Sequence, residues 1–260
     1  MFNLELFKYL AKSHFKSFAI ITVSLLVLIS IIMTVFDPST IADIAAASKD
    51  APVNPLGDIT TLIAFVANQY FGNFVIILGI IYSVITANKL VAEQVDKGSM
   101  AYHLSMPVTR VEMTATSALY LFSSLAAMFL LIFGVGWSVA EFVQPGELPV
   151  GIFFTLTWGA FLLHAAIASV VFLASCLFNR SSRALALGAG LAVFFFAADL
   201  LSSLSSSLEW MHNLTIITLL DIDAIISGGS YGIQLFVLAA VSCSLTLIGI
   251  TIFKRKDLPI

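Results

Sequence analysis

The sequence predicts an all-α membrane protein with six transmembrane helices and both termini in the cytoplasm. Three observations carry this. Hydrophobic residues make up 60% of the 260, and charged residues only 10%, against about 25% in soluble domains. A water-soluble chain of this length has too little interior to bury so much apolar surface, so lipid must solvate much of it. The apolar residues also fall in long continuous runs, unlike the short alternating segments of a transmembrane barrel. Finally, the basic residues sort to one side of those runs.

A hydrocarbon core of about 30 Å takes roughly 20 apolar residues per helical span. The runs give spans at 17–36, 61–88, 116–140, 152–178, 182–204 and 233–253. With both termini inside, the inner segments hold Lys8, Lys12, Lys16, Lys89, Lys97, Arg110, Arg180, Arg183, Lys254, Arg255 and Lys256. Only Lys49 of the twelve basic residues is left outside. Retention of Lys and Arg on the cytoplasmic side sets the orientation. The acidic residues lean the other way, with Glu141, Glu147, Asp199, Glu209, Asp221 and Asp223 outside or near the outer face.

The flanking segments follow. In residues 1–16 and just beyond, Phe7, Leu10, Ala11, His14, Phe15 and Phe18 fall near one face, and Lys8, Lys12 and Lys16 on another. That pattern suits an interfacial helix in the headgroup plane. The apolar run behind it is longer than the core of a signal peptide. Residues 205–232 are half apolar, in stretches too short to cross. Short re-entrant or interfacial helices before the last span fit them. The chain 1–260 then reads as one transmembrane domain.

Little catalytic chemistry is visible. A phosphate-binding loop needs a Gly-Lys pair, and no Gly here precedes Lys. HExxH does not occur. Cys176 and Cys243 lie inside apolar runs without metal-ligand spacing, which suits small packing residues. Ionisable residues inside spans are functional candidates, and His164 and Asp199 are the two here. The outer part of the second span offers Asn68, Gln69, Tyr70 and Asn73. These four, with His164 and Phe195, are the candidates for lining a translocation path. Each also has a plainer reading: a histidine bonded across helices, or polar residues at the water boundary.

The segment 89–112 is the most informative. It is polar and charged in an otherwise apolar chain, and holds EQVDKGSMAYHLSMPVTR from Glu93 to Arg110. A charge at mid-bilayer costs roughly 2.5–3.5 kcal/mol on insertion scales, so this segment lies outside the hydrocarbon. The second span continues as a helix past the membrane and breaks at Lys97-Gly98. Residues 99–106 can form two turns, with Ser99 as a cap, stopped by Pro107.

This stretch resembles the segment between the second and third spans of ABC-2 type transporter permeases. The shared pattern is Glu93, then Gly98 and Ser99, a short apolar helix through Leu104, and Pro107, Val108, Thr109 and Arg110. The ending FKRKDL, from Phe253 to Leu258, is similar to that family's aromatic-basic-Asp-Leu ending. One departure is Ser117, where the family often carries Lys.

The resemblance implies the membrane subunit of an ATP-driven exporter in a cell membrane, with a bacterial source. The chain would hold no cofactor and hydrolyse nothing itself. ATP and Mg would bind a separate nucleotide-binding ATPase subunit, docked on a cytoplasmic coupling helix at 99–106. Glu93, Gly98, Ser99, Tyr102, His103, Met106, Pro107 and Arg110 would form the coupling site. A second permease chain, alike or related, would complete a dimer in the lipid bilayer; no nucleic acid is implied. The short outer loops and Phe-rich bundle suit an amphipathic substrate, a peptide first, a drug or lipid next. A non-transporting component of a sensor or immunity complex would share the same fold. A membrane enzyme would need convergent acid, base or metal groups that the sequence does not supply.

Overall fold

The computed structural model describes residues 3–37, 40, 43, 61–98, 109–204 and 206–256. Among these residues every regular element is helical. Six helices are long and apolar enough to cross a membrane, so the chain has the build of a multi-pass membrane protein. They are α1 (Leu4–Val35), α2 (Leu62–Asp96), α3 (Arg110–Val143), α4 (Val150–Leu177), α5 (Ser181–Leu204) and, after the short α6 (Ile222–Ser227), α7 (Gly232–Arg255).

Local chemistry sets the helix ends. The Asn3 side chain accepts from Leu6 N and caps α1. Thr109 and Glu112 form a reciprocal capping box at the start of α3, which satisfies N–H groups that the helix itself leaves open. Asp221 caps α6 at Ala224 N. At the other end of α6, Gly228 takes the left-handed conformation and Gly229 N reaches back to Ala224 O, a closing turn that favours glycine.

Neighbouring contacts give the packing. Asn3 N donates to Thr116 Oγ1 at 3.2 Å. At the far ends of the same two helices, Gln144 Nε2 donates to Met33 O at 3.0 Å. So α1 and α3 run parallel along their whole lengths. α4 is the central helix: 72% of its most apolar window is buried, against 22% for α5 and for α7. Small residues along it, among them Gly159, Ala166 and Ala168, let neighbours approach closely, and Leu220 Cδ1 occupies the space beside Gly159.

The ends alternate. Asn3, Asp96, Arg110, Phe178, Ser181 and Lys256 are joined by contacts at one end of the bundle or lie beside them. That end carries most of the basic residues, and is called the basic end below. Between α5 and α7, residues 206–214 and 217–219 form 3-10 turns, followed by α6. Ile217, Leu220 and Ile225 of this segment are buried. Leu220 reaches Gly159, nine residues or ~13 Å inside the start of α4. Short helices therefore fill the opposite end of the bundle ahead of α7.

Two features differ from the sequence reading. The expected separate interfacial helix over 1–16 is instead the first turns of α1, a single helix of 32 residues. No Gly or Pro interrupts residues 4–35. Its inward face, Leu6, Leu10 and His14, is buried, with Phe7 and His14 against Tyr120 of α3. Phe15 of the same stretch points outward and is 64% exposed. The second feature is α2, which is not uniformly α-helical: Val66–Val75 is a π-helix, and the helix breaks again at Val91, where φ is −130°.

Candidate functional site

Two regions hold the expected site residues. The first is the basic end, where α2 stops and α3 starts. α2 ends as Lys97 N and Gly98 N turn back to Glu93 O and Val95 O. Gly98 sits at φ +70° with nothing within 4 Å of a Cβ placed on it. The constraint there is backbone conformation alone, which a side chain would strain. Glu93 is half-buried, and its carboxylate accepts from Lys97 Nζ one turn on. His14 of α1 lies within electrostatic reach of both Lys89 and Glu93. Ser99, Tyr102, His103, Leu104, Met106, Pro107 and Val108, the expected coupling helix with its stop, lie outside the described residues.

Arg110 resumes the chain on the other side. Its Nη1 donates to Lys256 O at 2.7 Å. Lys256 Nζ donates to Phe178 O, also at 2.7 Å, and stands 5.7 Å from the centre of the Phe253 ring. Burial pulls the Lys256 ammonium down, to about 8. Two further bonds tie α2 to α5: Asn88 Nδ2 donates to Ser181 Oγ at 2.8 Å, and Ser181 N donates to Asp96 Oδ2 at 3.1 Å. Five helix ends, those of α2, α3, α4, α5 and α7, thus come together at the basic end. The sequence reading missed Asn88, Asp96, Ser181 and Lys256 in these roles. Their partners are 78 to 146 positions away, beyond any local pattern.

Above this end lies a polar band between α1, α2 and α3. Tyr82 hydroxyl donates to Ser124 Oγ at 2.7 Å. Among the described residues, His14 Nε2, Thr22 Oγ1 and Ser83 Oγ are buried without a hydrogen-bond partner, and Thr86 interacts with the Tyr82 hydroxyl. Buried groups of this kind are uncommon.

The second region is the π segment and its surroundings. Asn68 and Gln69 are half-exposed and Asn73 is exposed. Asn73 Nδ2 donates to Asn68 O, five residues back, at 3.0 Å, the spacing of a π-helical turn. Tyr70 points elsewhere: it is fully buried, and its hydroxyl donates to Leu25 O of α1 at 3.1 Å. His164 is fully buried. Its Nδ1 meets the Ala160 carbonyl of its own helix at 2.7 Å, and the main chain of Ile76 and Val75 on α2 also acts on the ring. Its Nε2 faces Gly79, where a Cβ would stand only 2.1 Å away. Phe195 is half-buried on α5 and packs on the core beside Phe194. The six candidates therefore do not converge on one path. Asn68, Gln69 and Asn73 share the π segment, Tyr70 and His164 are packed inside, and Phe195 belongs to the rim.

Among the described residues no group of His, Cys, Asp and Glu is placed to hold a metal ion. Compared with family models and with curated proteins, the chain matches none.

Proposed function

We propose that this chain is the permease subunit of an ATP-driven exporter of the ABC-2 type, set in a cell membrane with its basic end in the cytosol. The observation that carries the reading is the stretch from Glu93 to Arg110 between two spans. Its pattern of Glu93, Gly98-Ser99 and Pro107-Val108-Thr109-Arg110 is the one that resembles that family. The positive φ of Gly98 and the capping box at Thr109 suit a short element held between two firm helix ends. The bonds from Arg110 to Lys256, Lys256 to Phe178 and Ser181 to Asp96 suit a rigid platform around it. A push on residues 99–106 by a partner ATPase would then reach α2 through α5 and α7 as rigid-body motion. With no Gly-Lys loop in the chain, the energy has to come from that partner. A second copy or a related chain completes the path, and the substrate is amphipathic, with a peptide favoured.

Tyr102 and Met106 are four apart and share a face if 99–106 is helical. The double variant Tyr102→Ala, Met106→Ala should express and fold but lose capture of the purified ATPase. Glu93→Ala, which removes the partner of Lys97, should impair transport more than assembly. If the double variant captures the ATPase as wild type does and still transports, residues 99–106 are only a connecting loop and the proposal fails.

A further inference from the structure

A cleft of about 590 Å³ opens at the basic end, between the end of α2 and the turn that joins α4 to α5. Arg180 and Arg183 both line it and both are exposed. Among the described residues neither takes part in an ion pair. Among the described residues, the one carboxylate in its wall, Asp96, already accepts from Ser181 N at 3.1 Å. The cleft is therefore cationic, with two guanidinium forks that suit a phosphate in geometry as well as charge.

Depth narrows the ligand. α5 has 24 residues, about 36 Å at the rise of an α-helix, against a hydrocarbon core of about 30 Å. A helix so little longer than the core keeps its first turn within a few ångströms of the hydrocarbon edge. Arg180 and Arg183 consequently stand at headgroup level. Below them the same face of α5 turns apolar: Leu187, four residues past Arg183, is 41% exposed and Phe194 is 44% exposed. Gly190 between them leaves open space where a Cβ would be. A cationic cleft at headgroup depth, above an exposed apolar face of the same helix, matches the charge and polarity order of a phospholipid.

We propose that Arg180 and Arg183 bind the phosphate of an anionic phospholipid, with an acyl chain laid along Leu187 and Phe194. The site does not depend on the exporter reading, since it uses neither residues 99–106 nor an ATPase. It assigns the cleft a structural lipid that would brace the turn between α4 and α5.

The test is lipid retention by the purified full chain, read by native mass spectrometry. The probes are phosphatidylglycerol, phosphatidylcholine with the same acyl chains, and inorganic phosphate as competitor. Wild type should retain phosphatidylglycerol over phosphatidylcholine, and Arg180→Gln with Arg183→Gln should lose that preference, by about fivefold per arginine. Lysine at both positions should keep only the part of it that charge alone supplies. Leu187→Gln should weaken retention with both arginines in place. If the double glutamine variant does not fold, Arg183→Gln alone decides, with a loss of about fivefold. Equal retention of the two lipids by wild type, or an unchanged preference in the glutamine variants, overturns the site. Displacement of the lipid by millimolar inorganic phosphate overturns the lipid assignment, since the cations alone would then account for binding.

Discussion

Arg110 at the start of α3 donates to the main-chain carbonyl of Lys256 at the end of α7, 2.7 Å away, and Lys256 passes the tie on to Phe178 at the end of α4. Three helices far apart in sequence are fastened by two basic side chains acting on backbone oxygens. A charged donor to a carbonyl contributes about 1.5–3 kcal/mol when sheltered; Arg110 is only half-buried, so the lower end applies. Arg110→Gln should lower the thermal unfolding midpoint in detergent, and Arg110→Lys should recover part of the loss. A glutamine variant that melts with wild type would mean that the tie does not hold the basic end together.

His164 and Gly79 make a second close pair. A Cβ at Gly79 would stand 2.1 Å from His164 Nε2, so Gly79→Ala must displace a buried ring. Overpacking of that kind costs roughly 1–3 kcal/mol. His164→Ala removes the ring and leaves room, so the double variant should be less destabilised than the sum of the two single ones. Simple additivity in a double-mutant cycle would show that the two residues do not press on each other.

The six spans and the break at Gly98 are legible in the sequence because each rests on a local signal: a long apolar run, or a glycine in a charged stretch. Rotation of the helices is not. In a bilayer, lipid is as apolar as the protein interior, so apolar residues point both ways. Tyr70 shows this: expected to line a path, it is buried against α1. The π segment in α2 carries no composition that distinguishes it from an α-helix, and it turns Tyr70 inward while leaving Asn73 outward. The ties of Arg110 to Lys256 and of Ser181 to Asp96 join residues that only the folded bundle brings together.

The distribution of Lys and Arg predicts that the basic end faces the cytosol. In a background with Cys176→Ala and Cys243→Ser, a cysteine at Glu147, exposed at the opposite end, should react with an impermeant thiol reagent in intact cells. A cysteine at Ser182, exposed at the basic end, should react only after permeabilisation. The reverse pattern would put the basic end outside and remove any contact with a cytosolic ATPase.

The most direct test of the exporter reading is a photo-crosslinking amino acid placed at Tyr102 in living cells of the source organism, with a second at Phe142, which is 89% exposed at the opposite end. Adducts are identified by mass spectrometry. The Tyr102 position should trap a chain that carries a Gly-Lys phosphate-binding loop, and the Phe142 position should not. Absence of any such chain from the Tyr102 adducts, or equal trapping at both positions, would contradict the claim that residues 99–106 dock an ATPase.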